Sequence, residues 1–352
     1  MARLQLPWKS AAIVLLASFN VVASVAAPTT ARMVTYIDTK GVNWGAKPPE
    51  PICNVGPTAY NTVHVSFYLP SLNQAADFAF TVTNPNPIYG GAAFIEEMHE
   101  ANVKVVLSVG GATELPISPD YFTKNEPVAL ANKLADMVVN LTLDGIDLDF
   151  EDDYSNANPA LTGYGPMSSR KSGGGPGVAW LCTVSSTLRA RLPRSKGYTI
   201  SHAPQAPYFD LGYGKDGVHG LCGDDIDYYA VQFYNQGDNT AGVAAYTTAD
   251  TLIKKEQIVP EHPSVVSPLD GSLTDIITAN GIPASKVLIG KMVTAADGNN
   301  GYVPVAELAG FIAQAKTAFP GLGGVMGWQW GSDLKGAWIG QLVGTSANIS
   351  GQ

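Results

Sequence analysis

Cysteine is scarce in this chain of 352 residues, with only Cys53, Cys182 and Cys222 present. No spacing among them resembles a zinc site. An odd number fits one bridge and one free thiol, and the sequence leaves the pair open. Basic residues are few and scattered: 21 Lys and Arg against 30 Asp and Glu give a net charge of -9. That balance excludes broad contact with nucleic acid or an anionic membrane. Absent too is a Gly-x-Gly-x-x-Gly turn after an early strand, which a dinucleotide-binding sheet would need. No segment outside the N-terminal region is apolar for long enough to cross a bilayer. A neutral polymer or a sugar is more compatible with this charge balance. Nothing in the chain calls for a cofactor or a metal, and a monomer is expected.

The first residues have a different character from the rest. Arg3 and Lys9 precede an apolar run from Ala11 to Val25, and Val25-Ala26-Ala27 supplies small residues for cleavage. Residues 1–27 are therefore expected to be a signal peptide, and 28–352 a single exported domain. Asn140-Leu-Thr142 and Asn348-Ile-Ser350 are glycosylation acceptors.

Eight short apolar segments read as strands: Val34–Asp38, Val63–Phe67, Lys104–Ser108, Ile146–Phe150, Tyr198–Ser201, Tyr229–Phe233, Val287–Lys291 and Gly324–Trp328. Helix-period stripes lie between several of them, such as Leu130, Leu134, Met137 and Val138, or Leu308, Phe311, Ile312 and Ala315. Near-continuous apolar strands alternating with amphipathic helices imply a parallel sheet covered by helices, and eight units close a (β/α)8 TIM barrel. A doubly wound open sheet is the alternative. Two long connections, Asp152 to Gly177 and Gln236 to Asp270, follow the fourth and sixth strands. The first is expected to border the cleft or to be a loose insertion.

The fourth strand carries the chemistry. Residues 144 to 151 read Asp-Gly-Ile-Asp-Leu-Asp-Phe-Glu, so Asp147, Asp149 and Glu151 alternate with Ile146, Leu148 and Phe150. Strand alternation puts the three acids on one side and the apolar residues on the other. Carboxyls crowded in a confined place cannot all ionise, so one is expected to titrate high enough to serve as a general acid. A calcium loop fails on spacing, because its position-six glycine would fall at Asp152 and its closing glutamate at Asn158. Glu151 falls just past the strand, where barrels of this kind place their chemistry.

Asp144, Asp147, Asp149 and Glu151 resemble the Asp-x-x-Asp-x-Asp-x-Glu signature of glycoside hydrolase family 18. Ser108-Val-Gly110-Gly111 is similar to its third-strand motif. Ala203-Pro-Gln205-Ala-Pro207, Val231-Gln-Phe-Tyr234-Asn235 and Gly324-Val-Met-Gly-Trp328 resemble segments of class III, hevamine-like chitinases. The chain departs from that group at Ile37-Asp38-Thr39, where Trp-Gly-Gln is frequent. Asp225-Ile-Asp227-Tyr-Tyr through Gln232-Phe-Tyr234, together with Val325-Met-Gly-Trp328, also resembles secreted fungal endo-β-N-acetylglucosaminidases.

The resemblance implies cleavage of a β-1,4 bond between N-acetylglucosamine units without a protein nucleophile, the substrate's acetamide oxygen attacking instead. It implies Glu151 as proton donor, Asp149 orienting the acetamide, Asp147 sharing a proton with Asp149, and Tyr234 holding the acetamide oxygen. Trp328 would floor the sugar site. Tyr36, Gln232, Asn235 and Gln205 would line the cleft, while Asp144, Ser108, Gly110 and Gly111 would support the acids. His64 and His202 read as satisfied core or surface residues.

Overall fold

The computed structural model describes residues 31–38, 60–114, 121–151, 176–210, 212–236, 246–253, 271–333 and 336–344. The expected signal peptide, Cys53, Asn348 and most of the two long connections lie outside the described residues.

All eight expected strands are present: β1 (Arg32–Ile37), β2 (Thr62–Leu69), β3 (Lys104–Gly110), β4 (Gly145–Asp149), β5 (Thr199–His202), β6 (Tyr228–Gln232), β7 (Val287–Met292) and β8 (Gly324–Trp328). Each pairs in parallel with the next, and β1 pairs with both β2 and β8, which closes the barrel. Among the described residues, one strand beyond the expected eight is present. Gln74–Ala75 folds back antiparallel on the end of β2; two residues are too few to show a period.

The strands are buried on both faces, as an enclosed parallel sheet requires. Inside the barrel, Val34, Tyr36, Ala230, Leu288, Met292 and Met326 form one cluster. A larger apolar layer lies between the sheet and the helices. The helix Pro127–Asn140 turns Leu130, Leu134 and Val138 inward, while Met137 is only half-buried. Its start is set locally: Pro127 needs no amide partner there, and Glu126 accepts from the Val128 and Ala129 amides at 3.1 and 2.6 Å. The helix Val305–Ala318 buries Leu308, Phe311, Ile312 and Ala315. Asn140 is exposed at the end of its helix.

The bridge joins Cys182 to Cys222, tying the helix Pro176–Arg191 to the helix Val218–Cys222.

Where β2 meets β3 the register slips. Val65 pairs with Leu107 and Tyr68 with Val109, so three steps on β2 match two on β3. A bulge of this kind reverses which side chains face inward. His64 points into the barrel before it; Phe67 and Leu69 do so after it.

Candidate active site

The acids stand where β4 reaches the carboxyl end of the barrel. Neighbouring strands fix the deepest layer, since Ser108 on β3 and Ser201 on β5 both pair with Asp147 in register. Asp147 is fully buried. Its Oδ2 accepts from the Tyr36 hydroxyl and the Ser108 hydroxyl, each at 2.8 Å, and its Oδ1 accepts from Ser201 at 2.7 Å. His64 Nδ1 lies 3.3 Å from Oδ2. Burial alone would raise this carboxyl, but the interaction with His64 and the surrounding hydroxyl donors outweigh it and lower Asp147 to about 2. Asp147 is a fixed anion.

One layer nearer the mouth, Asp149 and Glu151 share a single donor. Gln232 Nε2 lies 3.0 Å from Asp149 Oδ1, 3.2 Å from Glu151 Oε1 and 2.9 Å from the Ala203 carbonyl. Asp149 is held well above the usual carboxylate range, by burial first and then by the charges of Glu151 and Asp147; the Gln232 bond opposes this and Asp38 adds to it. Glu151 is raised by burial against the pull of Gln232. Such a pair retains a proton at pH values where isolated carboxyls have lost theirs.

The Tyr234 phenol is buried and pushed well above its ordinary value by burial, by Asp149 and by Glu151, so it stays a hydroxyl. Tyr36 is raised likewise, by burial and then by Asp147. The half-buried Trp328 indole closes one side. It stacks on Phe67 at 6.1 Å between ring centroids and sits 5.7 Å from the Tyr36 ring. Its Nε1 donates to the Asp297 carbonyl at 3.0 Å, which fixes the ring plane. The Gln205 side chain is buried beside Gln232, and its Oε1 has no hydrogen-bond partner among the described residues.

Gly110 and Gly111 let β3 crowd the acids. Gly110 has φ +107°, and a Cβ there would lie 2.3 Å from the Asp149 carbonyl oxygen. Gly111, at φ +74°, leaves room for the Phe67 ring, which would stand 2.8 Å from its Cβ.

One expected residue stands elsewhere. Asp144 precedes β4 at the opposite, amino end of the barrel, where its Oδ2 meets His99 Nε2 at 2.8 Å and accepts from the Val105 amide at 2.7 Å. It braces the scaffold, because Asp147 lies three steps further along extended chain, an odd number that turns the two acids to opposite faces. Asn235 uses its Oδ1 to accept from the Asn299 amide at 2.7 Å, pinning the segment after β7.

The histidines separate. His202 is fully buried; its Nε2 meets Ser185 Oγ at 2.9 Å and its Nδ1 meets the Tyr213 hydroxyl at 3.1 Å. Ser185 gives its own proton to the Leu181 carbonyl, so His202 must donate through Nε2. Burial lowers His202 to about 4, against the pull of Asp147. That is a satisfied core histidine. His64 is also satisfied at Nε2 by Tyr228, at 2.8 Å, but its other nitrogen faces Asp147. Read as an isolated residue it gave no sign of this; register across the closed barrel brings it there. Ser201 and Phe67 were also missed, the first for want of a known register and the second because the bulge reverses its facing.

Among solved structures, a family 18 chitinase from Pseudoalteromonas aurantia superposes with TM-score 0.63 at 26% identity, covering 89% of this chain and 99% of that one. A fungal endo-β-N-acetylglucosaminidase of family 18 shares the fold, with TM-score 0.60, 21% identity and coverage of 91% and 98%. Endochitinase 3 of Metarhizium robertsii is 26% identical over 258 residues, which are 68% of this chain and 64% of that relative, so the match spans just under two thirds of its length. The sequence model described as glycosyl hydrolases family 18 matches residues 32–317, and with the barrel closed around Asp147, Asp149 and Glu151 the chain belongs to that family.

Proposed function

We propose that this protein is a secreted glycoside hydrolase that cleaves β-1,4 bonds between N-acetylglucosamine units of chitin-type chains, with retention and with the substrate's own acetamide as nucleophile. The single observation that carries the reading is the paired carboxyls: Gln232 Nε2 reaches both Asp149 and Glu151, and both are raised. Glu151, the less buried of the two, protonates the leaving oxygen and later takes a proton from water. Asp149 and Glu151 hold one proton between them at rest, and with substrate bound that proton sits on Glu151. Asp149, then ionised, accepts from the acetamide N–H and stabilises the positive charge that develops on the cyclised group. The anionic Asp147 below supplies a constant negative field. Tyr234, kept a hydroxyl, donates to the acetamide oxygen and holds it in line with the anomeric carbon. The Trp328 face packs against the C–H side of the sugar.

The export reading rests on the N-terminal charged and apolar segments. The Cys182–Cys222 bridge suits an oxidising compartment.

Cleavage of the chitobiose core of N-glycans is the second reading, on the strength of the segment from Asp225 through Tyr234 together with Val325 to Trp328. That segment's acids serve the scaffold. Asp227 accepts from Arg189, Arg194 and the Ile200 amide ahead of β6, and Asp225 accepts from Ser186. Chitin-type chains come first on the segments Ala203-Pro-Gln205 and Gln232-Phe-Tyr234-Asn235, which resemble those of chitinases. Parallel digestion of chitohexaose and a high-mannose glycoprotein tests the order. Cleavage of chitohexaose is expected; release of glycan alone would reverse it. Strong inhibition by a thiazoline mimic of the cyclised sugar is expected as well, and its failure would argue for a protein nucleophile.

A further inference from the structure

Lys291 is the most deeply buried cation among the described residues, with no exposed surface at all. It lies on β7 between Gly290 and Met292, and since Leu288 and Met292 face into the barrel, Lys291 faces outward into the apolar layer under the helices. A hydrophobic residue is the ordinary occupant of such a place. Its Nζ instead donates to three carbonyls, Phe233 at 2.6 Å, Tyr246 at 2.7 Å and Gly301 at 2.8 Å. Burial pushes the ammonium down to about 7. The three acceptors oppose that, because a neutral amine has only two N–H donors for them.

The carbonyls belong to the chain around Tyr234. Phe233 directly precedes it, and its amide also donates to Gly290 at 3.1 Å. Gly301 directly follows Asn299 and Asn300, the two residues that grip Asn235: the Asn235 amide donates to the Asn300 carbonyl at 2.9 Å, and the Asn299 amide donates to Asn235 Oδ1 at 2.7 Å. Tyr234 is thus bracketed on both sides, and both brackets close on one ammonium.

We propose that Lys291 is a positioning residue for Tyr234: by tying the Phe233 and Gly301 carbonyls to one point, it sets where the Tyr234 hydroxyl meets the substrate. This rests on the reading of Tyr234 as a group that touches the sugar. Loss of the clamp lets the phenol drift, and displacements of about 1 Å can cost on the order of 100-fold in rate.

A double-mutant cycle on the full chain tests it, with chitohexaose as substrate, or the glycoprotein if only that is cleaved. Tyr234→Phe is expected to lower kcat by about 100-fold, as loss of one aligned donor does. Lys291→Met, similar in shape and unable to donate, is expected to lower kcat by about 10- to 100-fold with KM within about twofold. Placed on Tyr234→Phe, it should lower kcat by less than about threefold further, because the group it positions is gone. Lys291→Gln replaces it in the cycle if the methionine variant does not fold. Equal losses of kcat in both backgrounds, or no loss of kcat in folded Lys291→Met, would overturn the role of Lys291 and leave the reading of the site standing. Unchanged kcat in Tyr234→Phe would overturn that reading, and the positioning role with it.

Discussion

Gln232 Nε2 has two hydrogens and three acceptors within reach: Asp149, Glu151 and the Ala203 carbonyl. One of the carboxyls therefore shares a hydrogen or carries its own, which agrees with the upward shift of both. A carboxyl raised in the folded state stabilises the fold below its ordinary pKa, and that contribution is lost as pH rises through the raised value. The site thus costs stability at neutral pH. Asp149→Asn, which keeps the acceptor for Gln232 and cannot ionise, is expected to raise the Tm at pH 8 while lowering turnover by about 100-fold; a lower Tm in thermal unfolding would contradict the raised pKa. The pH profile of kcat/KM reports the same pair. Its basic limb should lie above the usual glutamate range, and a limb near pH 4.5 would show that neither carboxyl is raised.

At the scale of the element, what the sequence conveyed depended on whether one period ran unbroken. β4 alternates cleanly, so the facing of Asp147, Asp149 and Glu151 was readable from residues 144 to 151 alone, and β3 and β8 ended within two residues of expectation. β2 has a bulge. Its alternation predicts Ser66 and Tyr68 inward, whereas Phe67 and Leu69 are, so the ring stacked on Trp328 was invisible until strand pairing was known. Likewise the partners of Asp147 come from four other strands, and only barrel closure assembles Tyr36, His64, Ser108 and Ser201 around it.

Outside the mouth, two elements have separate tasks. The Cys182–Cys222 bridge closes a loop of 40 residues, which by loop entropy stabilises the fold by about 4 kcal/mol. The Cys182→Ser, Cys222→Ser variant should lose about that amount in denaturant unfolding, with kcat unchanged. His202 acts through pH. Its lowered folded value means the unfolded chain binds the proton first, so stability falls as pH drops from 6.5 toward 4, by up to about 3 kcal/mol. Thermal unfolding of His202→Asn should show a lower Tm overall and a flatter slope across that window; identical slopes would mean that His202 is charged when buried.

In the whole molecule, the two ends of the barrel divide the work. The amino end spends its charges on structure: Asp144 with His99 and the Val105 amide, and Asp227 with Arg189 and Arg194. At the carboxyl end, charge is concentrated in one buried ladder of acids, whose inner member is ringed by donors and whose outer pair shares the Gln232 amide. A closed sheet makes the split possible, since it fixes every inward side chain by register and leaves the loops free to differ. The central claim is that the outermost acid of this ladder delivers the proton. The most direct measurement is turnover by Glu151→Gln of whichever substrate the unmodified protein cleaves, together with binding of the same oligosaccharide by calorimetry. The account predicts a fall in kcat of about 1,000-fold or more with Kd within about threefold, because the amide keeps the shape and loses the transferable proton; turnover within about twofold of the unmodified protein would contradict it.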